Sequence, residues 1–313
     1  MLGFLLRRIA ATIPVLLMVA VFVFLMLRLT PGDPAAIIAG DNATPQQIVE
    51  IRERLGLEEP LHVQFAIWGG NLLRGDLGQS YFFRQPVTSL IAQRIEPTFS
   101  LAAVTIVITV LVAVPLGTLA AYRHGSWLDK FVMGFSVAGF SVPVFVVGYI
   151  LIYVFAVELR WLPVQGFVSI REGFWPFMER MIMPATALAV IYIALIARMT
   201  RASVLEVLGE DYVRTARAKG QGEFKVLVNH ALRNAAVPIV TVIGVGIALL
   251  IGGVVVTESV FNIPGLGRLT VNAVLARDYP TIQGVILLFS FLYVLINLLI
   301  DIAYLFLDPR IRY

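Results

Sequence analysis

Long apolar runs alternate with short polar stretches rich in arginine along the whole chain. Six of these runs approach or exceed the roughly 20 residues needed to cross a bilayer core. They are Ile9–Leu29, Phe99–Tyr122, Phe131–Val157, Ile182–Met199, Ala235–Thr257 and Thr281–Leu307. Lipid offers no partner to a backbone amide, so each run predicts an α-helix that satisfies its own hydrogen bonds. The fourth run is the shortest and begins close to Pro184. Pro14, Pro115, Pro143 and Pro184 fall inside the runs and predict kinks.

Arg7 and Arg8 ahead of an apolar run are also the opening of a signal peptide. However, Ile9–Leu27 exceeds the length of a signal core, and no A-x-A cleavage site follows. A retained first helix is expected.

Basic residues orient the runs. With the N-terminus in the cytoplasm, thirteen Lys and Arg lie on inside segments and five on the two short outside loops. All three lysines, Lys130, Lys219 and Lys225, are inside. This is the bias that positive-inside insertion produces, with both termini cytoplasmic. The outside stretch from Thr30 to Pro97 is different: it is polar, with turn signals at Pro31-Gly32-Asp33-Pro34. It predicts one amphipathic helix around Thr44 to Leu55, where Thr44 and Gln47 fit a capping box with Pro45 at the first helical position. The expected organisation is a transmembrane helix at 1–29, an extracytoplasmic subdomain at 30–97, and a five-helix core at 98–313 containing a cytoplasmic loop at 200–234.

Composition agrees with this pattern. The chain is 59% hydrophobic and 14% charged, with a mean hydropathy of +0.87. A soluble domain carries about 25% charged residues. The net charge of +4 is accounted for by the inside loops and calls for no nucleic-acid partner. With no cysteine in the chain, disulfides, thiolate metal sites and cysteine nucleophiles are excluded.

Candidate chemistry is defined mostly by what is missing. The middle of every run is free of Asp, Glu, Lys, Arg and His, whereas a proton-coupled carrier needs a titratable group there. No G-x-x-x-x-G-K-[ST], H-E-x-x-H or G-x-S-x-G motif occurs, and His62, His124 and His230 are far apart. No catalytic residue and no metal site is expected. A secondary carrier and an intramembrane enzyme, the two alternatives from other classes, both lack the polar mid-membrane groups they require. Uphill transport would draw its energy from another subunit. Gly244, Gly246, Gly252 and Gly253 cluster in the fifth run, which fits close helix packing, a pore-lining surface, or both.

The longest inside loop carries the most information. From Glu210 to Ala235 it reads as two short helical stretches separated by Gly220-Gln221-Gly222, with Asp211 as N-cap of the first. Phe224, Leu227 and Val228 recur at i, i+3 and i+4 and predict an apolar stripe on the second. A helix of this kind lies on a membrane surface or inserts into a groove on a partner.

This loop resembles the EAA motif of ABC importer permeases. Gly220 matches the motif glycine, Thr215 and Ala216 its small positions, and Leu232 its later leucine. Arg214 stands where the general motif has Glu, and Arg233 where it has Pro. Those departures resemble the dipeptide/oligopeptide/nickel branch, as do Tyr212–Gly220 and His230–Asn234. Leu29–Pro34, Glu158–Pro163, Glu258–Gly267 and Asp308–Arg312 are similar to further stretches of its B-type subunit.

The resemblance implies an all-α polytopic protein of the type I ABC importer permease fold, with six transmembrane helices in a bacterial inner membrane. It implies a C-type permease partner, two ABC ATPase subunits that bind the ATP and Mg, and an extracytoplasmic solute-binding protein. This chain would carry no cofactor. The residues implied in ATPase coupling are Tyr212, Arg214, Thr215, Ala216, Gly220, Phe224, Leu227, His230, Leu232 and Arg233. Glu258, Phe261, Pro264, Gly265 and Gly267 are candidates for an outer gate or a receptor contact. The implied solute is a di- or oligopeptide, with glutathione or nickel chelates as alternatives.

Overall fold

The computed structural model describes residues 2–29, 34–39, 44–54 and 56–307. The turn at Pro31–Asp33 and the C-terminal stretch Asp308–Arg312 lie outside the described residues. Everything described is helix, turn or loop, apart from one isolated bridge between Gln79 and Pro86.

In chain order the helices are α1 (Leu2–Leu29), α2 (Pro34–Ala39), α3 (Pro45–Arg54), α4 (Leu61–Leu73), α5 (Val87–Tyr122), α6 (Trp127–Ser141) and α7 (Val144–Leu151), which continues as a π-helix over Ile152–Glu158. Then come α8 (Phe174–Leu208), α9 (Asp211–Ala218), α10 (Glu223–Lys225) with a π-helix over Val226–Leu232, α11 (Ala236–Val260), α12 (Leu266–Leu275) and α13 (Tyr279–Leu307). Four stretches are long and apolar enough to cross a membrane: α5, α8, α11 and Tyr279–Ala303 of α13. α6 and α7 with its π-helical end reach that length and apolarity only when taken together, as a bent pair, and α1 holds a shorter apolar stretch over Ala10–Met26. The protein is thus an all-α polytopic membrane protein.

The third run departs from expectation. Instead of one kinked helix over Phe131–Val157, the chain bends by 103° between two arms. Pro143 has no N–H to continue α6, and its ring disfavours helical backbone one residue earlier. Val142 accordingly turns extended, at φ −95° and ψ 120°. Pro97 and Pro115 in α5 and Pro184 in α8 lie within unbroken helices.

The chain forms two compact units, Met1–Ile95 with Leu269–Val294, and Glu96–Arg268 with Leu295–Tyr313. In the first, Phe24, Phe65 and Trp68 pack edge-to-face or tilted, with ring centroids 5.3–5.8 Å apart, and the Arg28 guanidinium lies 4.7 Å above Phe24. The expected capping box opens α3: Thr44 N donates to Gln47 Oε1 at 2.9 Å and Gln47 N to Thr44 Oγ1 at 3.4 Å. Asp278 is fully buried ahead of α13 and accepts from Ser80 Oγ, Tyr81 N and Thr281 Oγ1 at 2.5, 3.0 and 2.7 Å.

The second unit is built on α8, which packs against α6, α7 and α11. Met181, Leu188, Tyr192 and Ile196 bury its inward face among side chains of the neighbouring helices. Gly244 packs against Ile300, and Gly253 against Leu188, leaving no room for a methyl group. Packing therefore explains those two glycines, while Gly246 borders a cleft described below.

Candidate functional site

α9 begins with Asp211 as its first residue, and Glu210 takes the N-cap position expected of Asp211. Asp211 instead contributes as an acid in the first turn, where the helix dipole favours it, and it pairs with Arg214 at 3.3 Å on the exposed side. Val213 and Ala216 are the buried positions of this helix, while Tyr212 remains 43% exposed. Partial burial and the nearby Glu210 carboxylate raise the Tyr212 phenol above its ordinary pKa. It therefore stays a neutral donor at physiological pH.

The helix ends in a Schellman motif. Gln221 N donates to Ala216 O at 3.3 Å and Gly220 N to Arg217 O at 2.9 Å, with Gly220 at φ +80°. Only a residue at ease in the left-handed region closes these bonds without strain. The space around Gly220 is open, since no atom lies within 4 Å of where its Cβ would stand. The position demands a backbone conformation and not a small volume.

Beyond the turn, one polar pair ties the second helical stretch to the first and another ties it to the turn itself. Arg217 makes a two-pronged contact with Glu223 at 2.9 and 3.2 Å, and the His230 ring nitrogen Nε2 lies 2.7 Å from Gln221 Oε1. The stretch itself is not the α-helix that the 3.6-residue period predicts. From Val226 to Leu232 it is a π-helix, and its buried residues Val226 and Ala231 are five apart. The stripe expected from Phe224, Leu227 and Val228 is therefore split. Phe224 is 81% exposed and Val228 is exposed, while Leu227 is half-buried. Ala231 and Leu232 turn inward to a cluster formed with Ala121 of α5, Val204 of α8 and Ile239 of α11. Thr215 Oγ1 bonds back to Asp211 O at 2.9 Å, and Arg233 is exposed. One end of the loop thus presents an aromatic ring to its surroundings, and the other is fastened to the ends of three long helices.

A second fastening lies at the same ends. The guanidinium of Arg201 on α8 grips Asp129 at the start of α6 through Nε to Oδ1 and through Nη2 to Oδ2 at 2.8 Å. Gly125 N and His124 Nδ1 approach Oδ2 at 2.9 and 3.1 Å. In the sequence Arg201 registered only as an inside charge. The available signal was Asp129 three residues after Ser126, an acid placed in the first turn of a helix.

The loop after α11 is built around a buried acid. Glu258, with no exposed surface, accepts from Thr98 Oγ1 at 2.5 Å and from Arg268 N at 3.0 Å. It therefore serves as a remote cap for the N-terminus of α12, where unsatisfied N–H groups favour an anion. Methyl groups at Gly265 and Gly267 would fall on the Glu258 carboxylate and on the Val255 backbone. Phe261 is buried, and among the five residues expected at an outer gate only Pro264 is exposed.

Between α5, α8 and α11 lies a narrow cleft lined by Ile106, Thr109, Tyr192, Ile196 and Gly246, with a volume of about 10 Å³. That holds at most a single water. Thr109 Oγ1 is buried there without a partner among the described residues.

The family model for binding-protein-dependent transport system inner membrane components matches residues 113–313. The corresponding N-terminal membrane-component model matches residues 1–102. The chain belongs to this family. The permease is 57% identical to a probable peptide ABC transporter permease protein of Sinorhizobium fredii, over 99% of both chains. It is 47% identical to a putative peptide transport system permease protein of Brucella abortus, over 100% of both. It is 45% identical to a glutathione transport system permease protein of Salmonella paratyphi A, again over 100% of both. Its fold is similar to that of a chain of the MetNI methionine ABC transporter in an inward-facing conformation, with a TM-score of 0.57 and 18% identity, over 70% of the permease and 96% of that chain. The permease is a multi-pass membrane subunit of an ABC importer, and its part in transport is not enzymatic.

Proposed function

We propose that this permease forms, together with a homologous C-type permease, the translocation path for di- or oligopeptides delivered by an external binding protein. Two partner ATPase subunits hold ATP and Mg, and this chain binds no cofactor. Its N- and C-termini lie in the cytoplasm, and the segment 30–97 lies outside. The peptide reading is supported by the names of the Sinorhizobium and Brucella relatives.

The observation that carries the coupling role is the two-ended loop. Phe224 projects from it, while Ala231 and Leu232 are clamped among α5, α8 and α11. Closure of the ATPases on Phe224 would move the second helical stretch as a body, and the clamp would pass that displacement to the helix ends. Tyr212, Arg214, Thr215, Ala216, Leu227, His230 and Arg233 shape or border the same surface. On the outer side Pro264 would touch the binding protein, with Glu258, Phe261, Gly265 and Gly267 holding its loop in place.

The test is uptake by the reconstituted assembly in proteoliposomes, carried out with Phe224→Asp. Loss of ATP-driven uptake in an otherwise intact membrane complex is expected, and unchanged coupled uptake would end the proposal. Glutathione is the second reading, favoured by the Salmonella relative at 45% identity. Competition between unlabelled dipeptide and glutathione in the same assay separates the two.

A further inference from the structure

Arg198 stands at the end of the apolar run Ile182–Met199, where an arginine ordinarily reaches out to the membrane surface. The structure turns it the other way. Side chains on a helix lean toward the start of that helix, and the Arg198 guanidinium lies over the Phe140 ring of α6, 5.4 Å from its centroid. α6 and α8 run antiparallel here: Asp129 near the start of α6 meets Arg201, and Gly139 near its end packs against Ala194 and Val190. Phe140 is about 20 Å along α6 from its first residue, Trp127, at 1.5 Å per residue. The charge is thus held well inside the apolar run that begins at Phe131.

Two observations show that this face does not rest against lipid. Arg198 is exposed, and among the described residues its guanidinium has no hydrogen-bonding or ionic partner beyond its seat on the ring. An arginine at membrane depth faces a water-filled cavity or a partner group, because lipid tails solvate no charge. Independently, Ser141, Val142 and Pro143 at the bend are all exposed, and Val142 is extended. Backbone that leaves the helix at that depth must be covered by protein or line water.

The guanidinium decides between water and a covering protein. With α8 fastened to α6 above and below it, at Gly139 and at Asp129, Arg198 is positioned before any ligand arrives. Its N–H fork selects a planar carboxylate, a group that peptides and glutathione share.

We propose that Arg198 lines the solute path and receives the carboxylate of the passing solute, with the exposed bend at Ser141–Pro143 forming part of the same wall. This rests on the reading of the chain as one side of such a path, and it adds the residue that senses charge there.

The experiment uses the complete importer in proteoliposomes. The chain has no cysteine, so Ser141→Cys supplies one near-isosteric thiol next to Phe140. Its reaction with anionic sulfonatoethyl methanethiosulfonate is compared with that of the cationic trimethylammonioethyl analogue. Each rate is normalised to that with free cysteine, and labelling is read by mass spectrometry of this chain. Both reagents should react, the anionic one favoured by about tenfold, as one unit charge a few ångströms away in a partly wet site would produce. Arg198→Gln should abolish the preference and Arg198→Lys keep it, with Arg198→Met in place of Gln where that variant folds poorly. With the binding protein saturating, Arg198→Gln should also slow uptake about tenfold, the loss of a charged hydrogen bond.

A thiol that neither reagent reaches would overturn the proposal, since lipid or a second permease would then cover the face. So would a preference that is absent or survives removal of the charge, or uptake indifferent to Arg198→Gln. Labelling needs no transport, so an unaltered importer that takes up no peptide would strike the solute reading and leave the labelling result standing.

Discussion

Thr98 and Glu258, 160 positions apart in sequence, share a hydrogen bond of 2.5 Å in which the hydroxyl donates. The same hydroxyl accepts from Leu266 N at 2.8 Å. One threonine thus joins the acid at the end of α11 to the first turn of α12.

Glu258→Gln keeps one acceptor oxygen and replaces the other with an N–H donor, so the bonds to Thr98 Oγ1 and Arg268 N cannot both be kept as they are. A loss of about 2 kcal/mol is expected, the worth of a hydrogen bond to a charged group, and thermal unfolding in detergent would measure it. Thr98→Val should cost less, because Arg268 N keeps the Glu258 carboxylate and only Leu266 N loses its hydroxyl acceptor.

Gly265→Ala and Gly220→Ala are expected to differ sharply in cost for one chemical change. At 265 the methyl group meets the Glu258 carboxylate, so the variant should accumulate poorly in membranes. At 220 there is open space and φ +80°, and a cost of about 1 kcal/mol confined to the turn is expected. Expression level and limited proteolysis of the loop distinguish the two outcomes.

Asp129→Ala strips a half-buried guanidinium of its partner. A loss of about 3 kcal/mol is expected, and the double variant Asp129→Leu with Arg201→Met should recover part of it. A double-mutant cycle by thermal unfolding reads the coupling, and strict additivity would argue against it.

Phe224→Asp should leave unfolding within about 0.5 kcal/mol of the parent, as for other exposed positions, while ATP-driven uptake collapses. Equal losses of stability and uptake would point to a packing role for the ring.

The membrane helices were legible because twenty apolar residues in a row have one stable solution in lipid. The Thr44–Gln47 box was legible because capping is a local reaction of four residues. The break at Val142–Pro143 showed only as a proline. Pro97, Pro115 and Pro184 are tolerated inside helices, so sequence alone gave no reason to single out Pro143. The π-helix over Val226–Leu232 was hidden for a different reason. A 3.6-residue period groups Phe224, Leu227 and Val228, whereas burial follows the five-residue step from Val226 to Ala231. The Glu258 and Asp129 clusters depend on partners 160 and 72 positions away, and no local pattern reports those.

The positive φ of Gly220 has a stereochemical consequence. What that position selects is handedness. A D-alanine installed there by semisynthesis has its natural conformation where L-alanine is strained. The turn between the two halves of the loop would then be stiffer than with glycine.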